Sequence, residues 1–178
     1  MAKNSPALVL VLALIVCSAA RAQTAAPTAV PDPKPDLSSM SYLIGTWSCQ
    51  ARLRGSSRPD TTTYTMDLDG RWIKGNDSAP AFDKYRTRKI TTYSWLTYNP
   101  IKKEWVSTAL DNFGGYFIAT SPGWQGNKLT STLVVTPDGS TGSDVLTKNS
   151  DSKTTDVASG KNKNGAPIPP VTTICTKS

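Results

Sequence analysis

The sequence predicts an all-β protein, an antiparallel up-and-down β-barrel of about eight to ten strands with one short N-terminal helix. Three observations lead there. Beyond residue 45, apolar and polar residues alternate with period two over short runs, the pattern of half-buried strands. Turn-forming groups such as Asp-Gly, Asn-Pro and Pro-Asp-Gly punctuate those runs at hairpin spacing. Cys49 and Cys175 fall in the first and last runs, so a bond between them would join the two ends of one sheet and make it a ring.

Three segments organise the chain. Residues 1–22 read as a signal peptide: Lys3 precedes the apolar run from Ala7 to Val16, and Ala20-Arg21-Ala22 has the small-x-small form of a cleavage site. Residues 23–36 read as a disordered tether rich in Pro and Ala, with Pro27, Pro31, Pro33 and Pro35 and no large apolar residue except Val30. Residues 37–178 are then a single β-barrel domain. The expected destination is the periplasm or the exterior, after cleavage near Ala22. The apolar run is too short for a transmembrane segment, and no later stretch is longer.

Cys17 leaves with the signal peptide, which leaves two cysteines in an oxidising space. There a disulfide Cys49 to Cys175 is the expected state; the alternative is two free thiols, or one used between molecules.

The helix is placed at the start of the domain, where Asp36 can cap and Leu37, Met40 and Leu43 or Ile44 recur at helical spacing. In the first strand Trp47, Cys49, Ala51 and Leu53 share one face, and Ser48, Gln50, Arg52 and Arg54 the other. Tyr64, Met66 and Leu68 alternate with polar neighbours until Asp69-Gly70 turns the chain into Arg71-Trp72-Ile73-Lys74, a first hairpin. A long β-rich run from Arg88 to Tyr98 turns at Asn99-Pro100 and returns through Glu104 to Leu110. Further strands follow over residues 116–120, 128–136, 143–147, 153–158 and 171–176, with a loop expected over 160–170. On the last strand Val171, Thr173 and Cys175 have the parity that a bridge to the Cys49 face requires.

Charge and composition exclude several functions. The formal net charge of +7 falls to +5 once Lys3 and Arg21 are removed, a mild excess without a polybasic tract. Arg52, Arg54 and Arg58, and Lys84, Arg86, Arg88 and Lys89, alternate as the solvated faces of strands do. No basic stripe joined to stacking aromatics is present, so nucleic acid is not an expected partner.

The chain has no histidine, which excludes a Ser-His-Asp or Cys-His triad and any His-built zinc or haem site. Glu104 is the single glutamate, and most aspartates lie beside turn residues; Asp67 and Asp69 share a face but lead into a Gly turn, where Asp is expected for backbone reasons. The residues therefore point to no catalytic constellation, no metal and no cofactor. The protein is not expected to be an enzyme.

The sequence Gly45-Thr46-Trp47 after a short helix, followed by a string of hairpins, resembles the calycin superfamily of lipocalins and fatty-acid-binding proteins. Tyr98-Asn99-Pro100, Trp105-Val106, Asp111-Asn112-Phe113-Gly114-Gly115, Gly123-Trp124 and the terminal Cys175-Thr176-Lys177 more closely resemble exported bacterial lipocalin-like proteins of unassigned function. The resemblance implies that Trp47 is structural, packed across the closed end of the barrel beneath a basic residue from a late strand. No arginine follows Arg88, which leaves Lys128 or Lys148 for that place. It also implies a central cavity for a small hydrophobic or amphipathic ligand. Amphipathic rings suit such a cavity, so Tyr64, Met66, Trp72, Tyr93, Trp95 and Trp105 are the ligand-binding candidates, with Arg71 as polar anchor. The alternative is a solidly packed barrel that acts as a surface or interaction module, its rings filling the core. Nothing in the residues identifies a protein partner.

Overall fold

The computed structural model describes residues 33–53, 55–81 and 87–178. The expected signal peptide and the tether as far as residue 32 lie outside the described residues, as do Arg54, Lys84 and Arg86. The described chain forms a 3-10 helix, Ser38–Leu43, and eleven strands: β1 (Gly45–Leu53), β2 (Ser56–Asp67), β3 (Trp72–Ala79), β4 (Ile90–Asn99), β5 (Glu104–Asp111), β6 (Tyr116–Ser121), β7 (Trp124–Gln125), β8 (Lys128–Val135), β9 (Thr141–Ser150), β10 (Lys153–Lys161) and β11 (Pro167–Lys177). Every pairing is antiparallel. The strand order is β6-β5-β4-β3-β2-β1-β11-β10-β9-β8-β7, and β6 also pairs with β8. Ten strands thus make a closed ring, and two-residue β7 is a short arm on β8.

Closure gives the terminal strands partners and leaves no long edge for another chain to join. At the seam, Cys49 and Cys175 are direct cross-strand partners with Cα atoms 4.0 Å apart, joined by a disulfide. The bond spans a sequence separation of 126 residues, for which loop-closure entropy gives about 4 to 5 kcal/mol of stabilisation. Both sulfurs face the bore, because Trp47, Cys49 and Ala51 are the buried half of β1 while Ser48, Gln50 and Arg52 are exposed.

One end is plugged. Met40 and Leu43 of the 3-10 helix pack against Trp47, Ile73, Trp105 and Leu129, and Met40, Trp47 and Ile73 are at most 1% exposed. Burying a side chain of this size stabilises by roughly 2 to 3 kcal/mol. The indole Nε1 of Trp47 donates to the carbonyl of Leu43 at 2.7 Å, so no polar atom of the ring is left unpaired. Lys177 covers the ring. Its Nζ lies 5.6 Å from the ring centre and donates to the carbonyl of Tyr42 at 2.9 Å. The last strand thereby locks the helix against the first. Lys148 has a different partner: its Nζ sits 4.4 Å from the centre of the Tyr42 ring and pairs with Asp151 at 2.7 Å.

Several local expectations are corrected. The helical spacing over residues 37–44 yields six residues of 3-10 helix; Asp36 accepts from the N–H of Ser38 at 2.9 Å, but the residue at the cap position is Leu37. Leu68 does not extend β2: with Asp69 and Gly70 it takes positive φ in the turn. The loop expected over 160–170 contracts to the turn between β10 and β11. Pro169 and Pro170 are tolerated in β11 because its pairing with β1 begins only at Thr172, so neither missing N–H leaves a carbonyl of β1 unpaired. Arg58 is not on a solvated face: it points inward and pairs with Asp60 at 3.2 Å. Nor do most of the aspartates that matter lie in turns, since Asp60, Asp77, Asp144 and Asp156 are strand residues.

Candidate functional site

Strand parity decides what lines the bore. On β2 it is Arg58, Asp60, Thr62 and Tyr64; on β3, Ile73, Gly75 and Asp77; on β4, Thr92, Ser94 and Leu96; on β5, Trp105, Ser107 and Ala109. The register continues through Leu129, Ser131 and Leu133 of β8, Asp144 and Leu146 of β9, Thr154 and Asp156 of β10, and Thr173 and Cys175 of β11. Gly75 has a steric role here, because a Cβ at this position would fall 2.9 Å from the Tyr64 ring. The missing side chain is what lets the tyrosine lie across the bore.

Two spaces occupy the upper part of the barrel, with Phe117 bordering both. The inner chamber, about 160 Å³, rests on Met40, Leu43, Ile73, Leu96, Leu129 and Leu146; its polar lining is Tyr64, Ser94, Ser107, Ser131 and Asp144. The outer space, about 310 Å³, lies one rung nearer the open end. It is bounded by Ala109, Phe117 and Leu133, by the loops that carry Asp111, Gly115, Pro137 and Asp138, and at the rim by Leu110 and Tyr116 of the outer wall.

The electrostatics of the bore are unusual. Burial pushes the carboxyl of Asp77 up to about 7, helped by a hydrogen bond that its protonated form donates to its diagonal neighbour Asp60 and by the charge of Asp60; Thr62, whose Oγ1 donates to Asp77 Oδ2 at 3.1 Å, and Arg58 oppose the rise. Burial likewise raises Asp144 to about 7, aided by the charge of Asp156 and opposed by a backbone N–H and Ser131. Asp156 is raised to about 6 by burial. The Tyr64 hydroxyl is raised by burial and by the charges of Asp77 and Asp156. The side chain of Asp60 is 7% exposed, and its Oδ1 has no donor among the protein's own N–H and O–H groups. A proton kept on Asp77 supplies one. Among the described residues, the bore therefore holds two carboxyl pairs, Asp60 with Asp77 and Asp144 with Asp156, against one guanidinium. Among the described residues, no three of His, Cys, Asp or Glu converge in a way that could hold a metal ion.

Of the residues singled out from sequence, Tyr64 lines the inner chamber, and Trp95 also borders it, although its parity on β4 is outward. Trp105 is 5% exposed and belongs to the plug, with its ring centre 5.5 Å from that of Tyr98. Met66 shares the Tyr64 face but lies beyond the plug, 48% exposed, against a shallow pocket with Leu37 and Gly70. Arg71 is in the turn before β3, where its carbonyl accepts from Thr97 Oγ1 at 2.6 Å. Trp72, Tyr93 and Trp95 share the outer face of β3 and β4, because Ile73, Ser94 and Leu96 occupy the inner one. Outside, Lys74 Nζ lies 5.5 Å from the Tyr93 ring centre and 5.7 Å from that of Trp95, and Trp95 Nε1 donates to Asp67 at 3.0 Å. Sequence reading overlooked the inward aspartates and Lys177. The signal for the first was Thr62-x-Tyr64 continuing back through Asp60, and Asp144-x-Leu146 on the same parity as a core leucine.

No family model matches the chain, and no curated protein matches it. Its fold, by contrast, has solved counterparts. Rv2717c from M. tuberculosis superposes with a TM-score of 0.60 at 9% identity, over 80% of this chain and 96% of that one. The S-type phycobiliprotein lyase CPES from Guillardia theta gives 0.53 at 8% identity, over 77% and 89%. At such identities the likeness establishes a lipocalin-like barrel and nothing about its contents.

Among the described residues, no helix is long and apolar enough to cross a membrane.

Proposed function

We propose that the protein is an exported lipocalin-like binding protein that takes a small amphipathic molecule into its barrel through the open end. One observation carries this reading: two adjoining spaces of about 310 and 160 Å³ inside a closed ring, one at the mouth and one deeper, meeting at Phe117. The outer volume lies within the range of small-molecule sites, and the passage from an apolar mouth to a polar inner belt suits a ligand with unlike ends. Tyr64 is the residue of the original candidate set best placed to meet it. Export accords with the disulfide, which persists in oxidising compartments.

The test is native mass spectrometry of protein purified from its own source, beside a Leu133→Trp variant that fills the mouth. The reading expects a constant small-molecule mass released on denaturation from the wild type and lost from the variant. Release of nothing across several preparations would contradict it.

A second reading, an interaction module without small-molecule cargo, is favoured by the outer wall. There Tyr93, Leu110 and Tyr116 are direct cross-strand neighbours on β4, β5 and β6, each more than 40% exposed. Self-association or partner capture abolished by Tyr116→Ser, with an empty barrel, would support it over the first.

A further inference from the structure

We propose that the inner chamber selects a small amphipathic cation, a protonated amine about the size of benzylamine, whose ammonium group meets Asp144 and Tyr64, with the charge of Asp156 behind Asp144, while its apolar body rests on Leu96, Leu129 and Leu146. This deepens the reading of the barrel as a container and rests on it.

The argument begins with which charges face the bore. From β2 come Arg58, Asp60 and Tyr64, from β3 Asp77, from β9 Asp144 and from β10 Asp156. Toward the mouth, β5 adds Asp111, which accepts from the N–H groups of Phe113 and Gly115 at 2.8 and 2.9 Å. At the plug, β9 adds Lys148, which is paired with Asp151. β4 contributes only the phenol of Tyr98, packed on Trp105; β11 adds Lys177 at the plug, held by the carbonyl of Tyr42, and β1, β6 and β8 contribute no titratable side chain apart from the bridged Cys49. Arg58 is matched by Asp60. Among the described residues, no cation pairs with Asp144, which lines the chamber, or with its diagonal neighbour Asp156, while Asp77 feels the charge of Arg58.

A buried carboxylate without a counter-ion keeps a proton or acquires a cation. Burial raises all three carboxyls toward neutrality, with the charge of a neighbouring aspartate adding to it at Asp77 and Asp144. An independent observation points the same way: Asp60, its side chain 7% exposed, has an oxygen with no donor from the chain. Among the described residues the bore thus carries more carboxyl groups than cations. An anion would meet four carboxyl groups, and a bare metal ion would find no convergent set of three ligands among the described residues. The chamber's apolar floor adds the last constraint, since it would be wasted on an ion without a hydrocarbon part.

The experiment is calorimetric titration of the intact domain with three probes of one shape, benzylamine, benzyl alcohol and benzoate, at pH 8 and pH 5. Asp144→Asn and Asp156→Asn are carried alongside and checked for native near-ultraviolet circular dichroism. At pH 8 the ammonium should bind at least about tenfold more tightly than the alcohol, the increment of one charge-assisted contact, and benzoate more weakly than either. At pH 5, with the carboxyls protonated, that preference should largely vanish. Either Asn variant should lose it at pH 8 while still binding the alcohol. Equal binding of amine and alcohol, or a preference unchanged in both variants, overturns the assignment of the cation while leaving the container reading in place. Binding of none of the three at millimolar concentration overturns both.

Discussion

At the end of the barrel capped by the 3-10 helix, Met40, Trp47 and Ile73 are excluded from solvent, and the buried polar atom of the Trp47 indole has its acceptor. Two rungs up the same strands, Asp60, Asp77, Asp144 and Asp156 share the bore with a single guanidinium, and at least one carboxylate oxygen lacks a donor. The same ten-strand ring builds both regions. The plug gathers its stability from apolar area, even though the Tyr42 hydroxyl and the Trp124 indole N–H are buried there without a hydrogen-bond partner among the described residues, while the chamber buries carboxyl groups that would be better off in water. Such a local cost, held in place by a rigid ring, is what a binding region looks like.

The largest effect that would test this contrast comes from the seam. The double variant Cys49→Ala with Cys175→Ala should lose about 4 to 5 kcal/mol in chemical denaturation, because the bond closes nearly the whole domain. A loss under about 1 kcal/mol would mean that strand pairing alone holds the ring. Next, Lys177→Met removes a charged donor from the carbonyl of Tyr42 and the cover from Trp47, and should cost on the order of 1 to 3 kcal/mol.

The chamber should respond in the opposite sense. Asp77, Asp144 and Asp156 have folded-state pKa values raised above the ordinary carboxylate value to about 7, 7 and 6, so the folded protein binds more protons than the unfolded chain between about pH 4 and 7. Their favourable contribution is complete at low pH and is lost as pH rises through the folded values. The melting temperature should therefore fall from pH 5 to pH 8. At pH 8 Asp144→Asn should be more stable than wild type by roughly 1 to 2 kcal/mol, the reverse of what a deletion in the plug does. The smallest effect belongs to the outer wall. Tyr116→Ser, at the rim of the outer space but away from the plug and the inner chamber, should change stability by no more than about 0.5 kcal/mol.

Much of the plug was legible in the sequence, and much of the chamber was not. Trp47, Cys49 and Ala51 announce an inward face because all three are apolar and alternate with polar neighbours. Cys175 carries the same parity, so the seam could be placed before any coordinate was known. The chamber breaks the rule on which that reading depends. On β4 the large rings of Tyr93 and Trp95 lie outside, and Thr92 and Ser94 inside, so hydrophobicity points to the wrong surface of the wall. Asp60 and Arg58 look like a solvated strand face because each is charged, and only their burial and their pairing along β2 show otherwise. Lys177 was invisible for another reason: its partner, the carbonyl of Tyr42, is 135 residues away in the chain and carries no side-chain signature.

The account turns on a bore that withholds water and counter-charge from its carboxyl groups. Carbon-13 NMR of the aspartate carboxyls, followed from pH 3 to pH 9, reads that property directly. Asp77 and Asp144 should titrate near pH 7 and Asp156 near pH 6, well apart from exposed Asp138 and Asp151, whose hydrogen bonds to Ser140 and Lys148 hold them below the usual carboxylate range. Midpoints below pH 5 for all three bore residues would mean that water or cations already reach them, and the contrast between plug and chamber would fail.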